Sequence, residues 1–327
     1  MTLKPFSIGA LTIDLPVILS SLTGYTDQAY RMICRELGAG LCGTEMLLDK
    51  SLLLSEKLRR LNVQMAAGDH PLSAQLIGNT PAEMAAAAVH LCRMGADAID
   101  LNFACPVRKA LARRRGGHFM REPGAAVAIT RAVIGAADRP VMLKVRRSFG
   151  EDDRDHDALW RILEGGFDAG AAAACIHARS VEAKYTGQAD WTVLAEARRR
   201  YPDRAIIGSG DVLTPQAALD MLAQTGVDAV AAARGVLGNP WFFRQVRDLA
   251  AGRPPYQPTI AEQRELMRRH FDHAVELYGD KKAPRIMRKF GIKYARLHPT
   301  PKVVRMAFVA VKRPEHWHEV LARHYPN

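Results

Sequence analysis

The chain has 327 residues, 48% of them hydrophobic, which is enough for one large domain with a small one beside it, or for two domains. Its cysteines number five, and none pairs at Cys-x-x-Cys spacing, which argues against a disulfide framework and against a structural zinc site. Because no apolar run reaches the length of a leader or a membrane span, we expect a soluble cytoplasmic protein without membrane association or bound metal.

The first 250 residues repeat a unit in which a short apolar run precedes a small-residue turn and then an amphipathic stretch. The apolar runs predict strands at residues 17–22, 41–47, 72–77, 98–104, 141–146, 173–177, 205–208 and 228–233. The amphipathic stretches predict helices at residues 27–37, 81–94, 123–136, 157–169, 191–201, 215–224 and 240–250. Proline at several helix starts and glycine after several helix ends support these boundaries.

Eight such units, with strands that are apolar on both faces, predict a parallel (β/α)8 TIM barrel over residues 1–251. An open doubly wound sheet is the alternative, but no G-x-G-x-x-G follows the first strand, and eight units close naturally into a ring. The Pro-rich residues 252–258 predict a linker. Residues 259–327 predict a small all-α domain with helices at 262–278, 284–297 and 300–311 and a fourth from Pro314.

The positive charge is concentrated in this last part of the chain. The net charge of the protein is +12, and residues 253–327 contain 16 Lys and Arg against 7 Asp and Glu, a surplus of nine. Residues 281–314 contain 11 basic residues and no acidic one. Such a concentration is typical of a surface that binds nucleic acid, although an ordinary solvated basic face would give the same composition.

Each predicted strand carries polar residues toward its carboxyl end that an apolar core strand does not need. These residues are Ser21, Thr23, Gly24, Thr44, Glu45, Gln75, Asn102, Cys105, Lys144, Arg146, His177, Arg179, Ser209, Gly210, Asp211, Arg234 and Gly235. In a TIM barrel the carboxyl ends of the strands form the active site, so we expect these side chains to meet there. One buried polar residue is a weak sign, but polar ends on seven or eight strands are not explained by packing.

Two of these strand ends predict a phosphate site. Gly208-Ser209-Gly210-Asp211 and Ala233-Arg234-Gly235 offer backbone N–H groups, a cation and helix N-termini, which together suit the phosphate of a cofactor. Each glycine taken alone is equally compatible with a plain tight turn. Lys144 would place a positive charge near an electron-accepting ring.

Cys105 is the candidate reactive group. It is followed by Pro106 and by a basic loop that contains Arg108, Lys109, Arg113, Arg114 and Arg115. A reactive thiol beside a basic loop suggests chemistry on an anionic substrate. Taken alone, however, a single cysteine is more often a small buried hydrophobic residue.

Residues 100–109, Asp-Leu-Asn-Phe-Ala-Cys-Pro-Val-Arg-Lys, resemble the D-x-N-x-G-C-P-x-x-K segment of the tRNA-dihydrouridine synthases, most closely that of their bacterial B-type branch. Further segments resemble those of the family in the same order along nearly the whole chain: residues 22–27 (M-A-G-x-T-D), 44–46 (S-E-M), 143–146 (L-K-hydrophobic-R), 176–179 (I-H-G-R), 185–187 (Y-x-G), 209–212 (N-G-D-I), 234–241 (R-x-x-x-G-x-P-W) and 288–290 (R-K-H). The sequence departs from the family pattern at Ser21, Ala104, Ser209 and Ala233, among other positions. Any one motif is weak, whereas the ordered set is specific.

The resemblance implies an oxidoreductase built on a flavin mononucleotide (FMN) barrel that reduces a uridine in tRNA with NADPH as reductant. It implies that hydride from reduced FMN reaches C6 of the uracil while the Cys105 thiol protonates C5 from the other face. The implied FMN contacts are Ser21, Leu22, Thr23, Gln75, Lys144 and His177, with Ser209, Gly210, Asp211, Ala233 and Arg234 at the phosphate. The implied substrate contacts are Asn102, Lys109, Arg146 and Arg179.

The same resemblance makes tRNA the expected partner of a monomeric enzyme. The target base must leave its stack, which costs a few kcal/mol that basic residues holding the RNA backbone can offset. The candidates for these backbone contacts are Arg113, Arg114, Arg115, Lys281, Lys282, Arg285, Arg288, Lys289 and Lys293.

Two other functions fit parts of the sequence. A flavin barrel acting on a small molecule, such as a dihydroorotate or dihydropyrimidine oxidoreductase, explains the barrel and the phosphate site but not the basic C-terminal segment. A divergent RNA-binding paralogue without reductase activity is compatible with the departures at Ser21, Ala104 and Ser209. The presence of Cys105 and Lys144, together with His177 and Arg234, argues against this second alternative.

Overall fold

The structure, a computed structural model, describes residues 1–54, 56, 63–151 and 156–326, so Asn327 of the predicted helical domain lies outside it. Two antiparallel strands, β1 (Phe6–Ile8) and β2 (Leu11–Ile13), form an N-terminal hairpin. The other strands are parallel: β3 (Val17–Leu19), β4 (Cys42–Gly43), β5 (Leu47–Leu48), β6 (Leu72–Ile77), β7 (Ala98–Asn102), β8 (Val141–Arg146), β9 (Ala173–His177), β10 (Ala205–Ser209) and β11 (Ala229–Ala232).

The parallel strands close into a ring. From β6 to β11 each strand pairs with the next, β11 pairs with β3, and β4 pairs with both β3 and β6. β5 also pairs with β6, so β4 and β5 are two short pieces of one strand position and the ring has eight positions. The predicted (β/α)8 barrel is therefore confirmed, and the open doubly wound sheet is wrong.

Helices alternate with these strands as the sequence predicts. Around the barrel they are α1 (Gln28–Glu36), α2 (Asp49–Leu52), α3 (Pro81–Arg93), α4 (Arg108–Leu111), α5 (Pro123–Ala136), α6 (His156–Asp168), α7 (Thr192–Arg200), α8 (Pro215–Thr225) and α9 (Phe242–Ala250). After the Pro-rich segment follow α10 (Ile260–Tyr278), α11 (Ala283–Tyr294), α12 (Pro301–Val309) and α13 (Pro314–His324). Within the described ranges, none of the helices is long and apolar enough to cross a membrane.

The start of α9 differs from its prediction, which placed it at residue 240. The helix begins at Phe242 because Asn239 does not cap it: its side-chain amide instead donates to the Gln245 side chain inside the helix at 2.7 Å. By contrast, α10 starts at Ile260, two residues before its prediction, with a capping box: Thr259 accepts the Glu262 N–H and the Glu262 carboxylate accepts the Thr259 N–H.

The N-terminal hairpin fills the amino end of the barrel. Alternate residues of the parallel strands point inward, and near their amino ends these are apolar. Together with the hairpin they form one buried cluster that includes Phe6, Ile8, Ile13, Ile18, Met142, Ile207 and Ala229. The hairpin therefore keeps water out of the barrel interior at that end.

The C-terminal helices pack directly on the barrel. α10 contacts α1, and the rings of Tyr30, His270 and Phe290 meet between the two parts. The Tyr278 hydroxyl donates to the Asp27 carboxylate at 2.9 Å. The seam is thus buried and largely apolar, and the division into domains 1–251 and 259–327 stays a prediction.

The hairpin generates a test of stability. Ile8 is fully buried in the barrel end, so Ile8→Ala should lower the free energy of unfolding by about 2–5 kcal/mol, through lost apolar burial and the cavity left behind. Ser7 lies on the exposed face of the same strand, and Ser7→Ala should change it by less than about 0.5 kcal/mol. Urea unfolding measures the free energy of unfolding of both variants. Equal losses in the two would contradict the role of the hairpin in filling the amino end of the barrel.

Candidate active site at the carboxyl end of the barrel

A cavity of about 450 Å³ opens at the carboxyl end of the barrel, within the size range of ligand sites, roughly 300–1,000 Å³. The predicted site residues that line it are Ser21, Leu22, Thr23, Gln75, Asn102, Cys105, Lys144, Arg146, His177, Ser209, Gly210, Asp211, Ala233, Arg234 and Lys293. Sheet register explains much of this grouping. Asn102 pairs with Lys144, Arg146 pairs with His177, and His177 pairs with Ser209 on successive strands.

The turn that carries Cys105 is fixed from two sides. The side-chain carbonyl of Asn102 accepts the backbone N–H groups of Ala104 at 3.0 Å and Cys105 at 2.9 Å. From the other side the Arg146 guanidinium donates to the Ala104 carbonyl at 2.8 Å, and the Gly117 N–H donates to the Cys105 carbonyl at 3.0 Å. Backbone hydrogen bonds therefore determine where the thiol lies.

Two glycines in the loop after Cys105 allow this turn to pack. A Cβ on Gly116, whose φ is +60°, would lie 2.7 Å from the Cys105 Cβ. A Cβ on Gly117 would lie 2.8 Å from the Val181 side chain and 3.1 Å from the Cys105 carbonyl oxygen. A larger residue at either position would push the loop away from the thiol turn.

Cys105 is the one cysteine in the described chain that is not buried. Burial nevertheless raises the pKa of its thiol above the ordinary value, while the Val107 N–H and the Arg146 charge partly oppose the shift. At neutral pH the side chain is therefore a protonated thiol that can give up a proton.

His177 lies in the cavity as a neutral imidazole. Burial lowers its pKa to about 2, and the positive charges of Arg146, Lys144, Arg179 and Arg234 add to the shift. Its buried Nδ1 has no hydrogen-bond partner among the described residues. The ring can therefore hydrogen-bond a ligand without bringing a charge of its own.

Lys144 and Ser21 place two more polar groups on the cavity wall. The buried Lys144 ammonium donates to the Cys175 sulfur at 3.0 Å, a weak acceptor for a cation. The Ser21 hydroxyl oxygen is buried, and no described residue hydrogen-bonds it. Buried polar groups without good partners are costly, so this wall is suited to a ligand that supplies the missing partners.

The loop that carries Ser21, Leu22 and Thr23 is held in place by polar side chains outside the cavity. The Glu45 carboxylate accepts the Gly24 N–H, and the Thr26 hydroxyl accepts the Leu22 N–H at 3.0 Å. Burial raises the pKa of Glu45, although the Gly24 N–H opposes the shift. Glu45, one of the polar residues noted after the second predicted strand, thus supports the loop.

The loops after β10 and β11 meet at one end of the cavity. A Cβ on Gly235 would lie 2.4 Å from the Val212 carbonyl oxygen, so only glycine permits this approach. The N–H groups of Val212, Arg234 and Gly235 meet no acceptor among the described residues, and the exposed Arg234 guanidinium lies 3.7 Å from the Asp211 carboxylate. Free N–H groups and a guanidinium in neighbouring loops are groups that suit a bound anion.

Arg179 stabilises the loop after β10 through Asp211. Its buried guanidinium donates to both carboxylate oxygens of Asp211 at 2.6 Å and to the carbonyls of Thr186 and Gly187. Burial would raise the pKa of Asp211, but the hydrogen bonds from Arg179 and from the Ala189 N–H outweigh it, so the pKa is lowered. This placement does not fit the predicted direct contact of Arg179 with substrate.

Comparison with known proteins identifies this arrangement. A family model described as dihydrouridine synthase (Dus) matches residues 18–326. The chain belongs to the dihydrouridine synthase family. It is 33% identical to tRNA-dihydrouridine synthase B of Xanthomonas campestris over 309 residues, which cover 94% of this chain and 92% of the relative. It is also 33% identical to a probable tRNA-dihydrouridine synthase of Mycobacterium tuberculosis, covering 93% of this chain and 81% of the relative.

Solved structures of the same fold are much more distant in sequence from this chain. An old yellow enzyme homologue from Zymomonas mobilis superposes with a TM-score of 0.57 at 15% identity, covering 77% of this chain and 93% of the homologue. Histamine dehydrogenase from a Rhizobium species superposes with a TM-score of 0.58 at 13% identity. The chain covers 83% of its own length in that match but spans only half of the dehydrogenase.

The predicted RNA contacts lie in two areas. The exposed ones on and just before α11 are Lys281, Lys282, Arg285, Arg288 and Lys293, and Lys293 lines the cavity. Lys289 is partly buried, and its ammonium lies 5.2 Å from the centre of the Tyr25 ring. On the barrel side Lys109, Arg113 and Arg114 are exposed, and Lys109 does not line the cavity. Arg115 is turned inward to within 3.9 Å of Asp49, which does not fit its predicted RNA contact.

Tyr185 is a site residue that the list of predicted contacts omits. It lines the cavity with its side chain about half exposed, and its ring lies 5.0 Å from the Arg234 guanidinium and 6.3 Å from the His177 ring. An aromatic residue in the loop after a barrel strand was the available signal, because an exposed aromatic ring in such a loop is typical of a binding site.

The exposure of the thiols gives a test that needs no ligand. Iodoacetamide should modify Cys105 first, because the other four cysteines are buried, and its rate should keep rising with pH beyond the ordinary thiol range. Mass spectrometry of the alkylated protein gives the site and the rate. Loss of the fast phase in Cys105→Ala is the control, and a plateau below neutral pH would contradict the raised pKa.

Proposed function

We propose that this protein is a flavin-dependent tRNA-dihydrouridine synthase that reduces one uridine of tRNA in the cavity at the carboxyl end of its barrel. One observation carries the proposal: in a chain of the dihydrouridine synthase family, the Cys105 turn, the Lys144 wall and the anion site at Arg234 line a single cavity. The proposed proton donor and the residues that would bind the cofactor are thus within reach of one substrate.

The cavity fits FMN in three respects. The free N–H groups of Val212, Arg234 and Gly235 suit a terminal phosphate. The unpartnered Ser21 hydroxyl and His177 Nδ1 suit the polar edge of a heterocycle. The Lys144 ammonium would stabilise negative charge on an electron-accepting ring.

The mechanism divides the work between cofactor and protein. A bound FMN, reduced by NADPH, would supply the hydride for C6 of the uracil. The protein then has to hold the pyrimidine and give a proton to C5, where negative charge develops. Asn102 and Cys105 are the groups placed for this, since they line the cavity from the same turn.

Cys105 suits the role of an acid rather than that of a nucleophile. A nucleophilic cysteine needs a lowered pKa, whereas burial raises the pKa of this thiol. The thiol therefore carries its proton when substrate binds, and Arg146 next to the turn stabilises the thiolate that forms.

The surface around the cavity suits an RNA backbone. Next to it lies a second cavity of about 330 Å³, whose charged lining residues, Arg234, Lys293, Arg296 and Arg305, are all basic. Together with the exposed Arg285 and Arg288 on α11, these charges would hold phosphates while one base enters the site. We accordingly assign catalysis to residues 1–251 and most of the tRNA contact to residues 259–326.

The experiment that tests the function maps dihydrouridine in cellular tRNA. Cells that lack this gene should lose dihydrouridine at one or more positions, the wild-type gene should restore it, and the Cys105→Ala gene should restore less than about 1% of the rate. Cys105→Ala protein should still bind FMN and tRNA. An unchanged map without the gene would contradict the function, and full restoration by Cys105→Ala would contradict only the proton donor.

The phosphate site is tested by Arg234→Ala. Loss of the guanidinium removes a charge-assisted contact, so the affinity for FMN should fall about ten- to a hundredfold. FMN titration followed by flavin fluorescence measures the change. Arg305→Ala, which lies on the neighbouring cavity, is the matched control and should keep the wild-type affinity. Equal affinities in both variants would place the phosphate elsewhere.

A further inference from the structure

Asp100 is an acid buried inside the barrel beneath the cavity. It lies on β7 with 6% of its surface exposed, and one of its carboxylate oxygens, Oδ1, has no hydrogen-bond partner among the described residues. The other oxygen, Oδ2, accepts the Gln75 side-chain N–H at 2.7 Å. A buried carboxylate is costly, and this one is not explained by packing.

Asp100 begins a chain of directed hydrogen bonds that ends at the catalytic turn. Gln75 donates its amide to Asp100, and its carbonyl accepts the Asn102 amide at 2.8 Å. The Asn102 carbonyl in turn accepts the backbone N–H groups of Ala104 and Cys105. Each carboxamide in this chain donates on one side and accepts on the other.

The two ends of the chain fix its direction. An ionised carboxylate can only accept hydrogen bonds, so Gln75 must turn its NH₂ group toward Asp100. Backbone N–H groups can only donate, so Asn102 must turn its carbonyl toward Cys105. Gln75 and Asn102 both line the cavity. Each side-chain amide has a second N–H that this chain of hydrogen bonds does not use, so each can donate to a ligand. Both side-chain carbonyls already accept hydrogen bonds within the chain.

We propose that Asp100 is a positioning residue that fixes the orientation of Gln75 and Asn102, and through them the turn that carries the Cys105 thiol. The Asn102 N–H so arranged would face the pyrimidine together with the Cys105 thiol, whereas Gln75 and Lys144 keep their proposed place at the flavin. The catalytic half of this inference rests on the proposed function, whereas the effect on the turn does not.

The surroundings of Asp100 keep it ionised enough to act as an acceptor. Burial raises its pKa to about 6, while the Gln75 hydrogen bond and the Lys144 charge oppose the shift. The ionisable groups that face it are Lys144 from β8 and Cys175 from β9. At neutral pH the carboxylate form prevails.

The test compares two substitutions at Asp100 with one matched control. Asp100→Leu removes the acceptor at similar volume, and Asp100→Asn keeps a carbonyl that can accept from Gln75. Asp97→Leu is the control, because Asp97 precedes the same strand and accepts the Leu72 N–H at the opposite end of the barrel. Thermal unfolding of all three variants measures any general loss of stability.

The first measurement is the alkylation rate of Cys105, which needs neither cofactor nor RNA. With the turn no longer held through Asn102, Asp100→Leu should raise the rate about five- to tenfold, while Asp97→Leu and Asp100→Asn should stay within about twofold of wild type. Equal rates in Asp100→Leu and Asp97→Leu would overturn the proposal.

The second measurement separates the two half-reactions of the FMN-loaded enzyme. Asp100→Leu should slow its reoxidation by tRNA about a hundredfold, because Asn102 and Cys105 at the end of the chain act on the uracil. Its reduction by NADPH should slow by less than about threefold, because the flavin keeps its contacts with Lys144 and His177 when Gln75 turns. A loss in Asp100→Asn as large as in Asp100→Leu, or equal losses in both half-reactions, would overturn the proposal. If the wild-type enzyme itself is not reoxidised by tRNA, the proposed function fails, and the alkylation result still decides the role of Asp100 in the turn.

Discussion

The hydrogen bonds from the backbone of the Cys105 turn to the Asn102 side chain are the constraint on which the site depends. They fix the backbone that carries the thiol just beyond the carboxyl end of β7. Arg146 on the next strand and the two glycines of the following loop close the same turn from outside. The position of the Cys105 thiol, which we propose as the proton donor, is thus built into sheet register and backbone geometry.

The interior of the barrel changes from apolar to polar along its axis, and this change places the chemistry. At the amino end the hairpin and strand residues exclude water. At the carboxyl end the interior is rich in positive charge from Lys144 and Arg146, with Asp100 as the buried acid beneath. A site with this balance stabilises negative charge in a bound ligand more than it stabilises a neutral one.

Much of this could be predicted from the sequence, because apolar strands and polar strand ends are local patterns. The barrel, its eight strand positions and most of the polar residues lining the cavity follow from them. The hairpin could not be predicted, since two three-residue strands around Gly9 carry too little periodicity. The inward turn of Arg115 and the hydrogen-bond chain from Asp100 depend on register and loop packing between distant segments, which composition and spacing do not encode.

The proposed reduction of a tRNA uridine is tested most directly by an anaerobic single-turnover experiment. It uses FMN-loaded enzyme that has been reduced by NADPH and freed of excess reductant. We expect unmodified tRNA to restore the absorbance of the oxidised enzyme, with one dihydrouridine formed per enzyme reoxidised. Free uracil and orotate, which are small-molecule hydride acceptors, should leave the enzyme reduced. Reoxidation by the small molecules but not by tRNA, or reoxidation by tRNA without dihydrouridine, would contradict the proposed reduction.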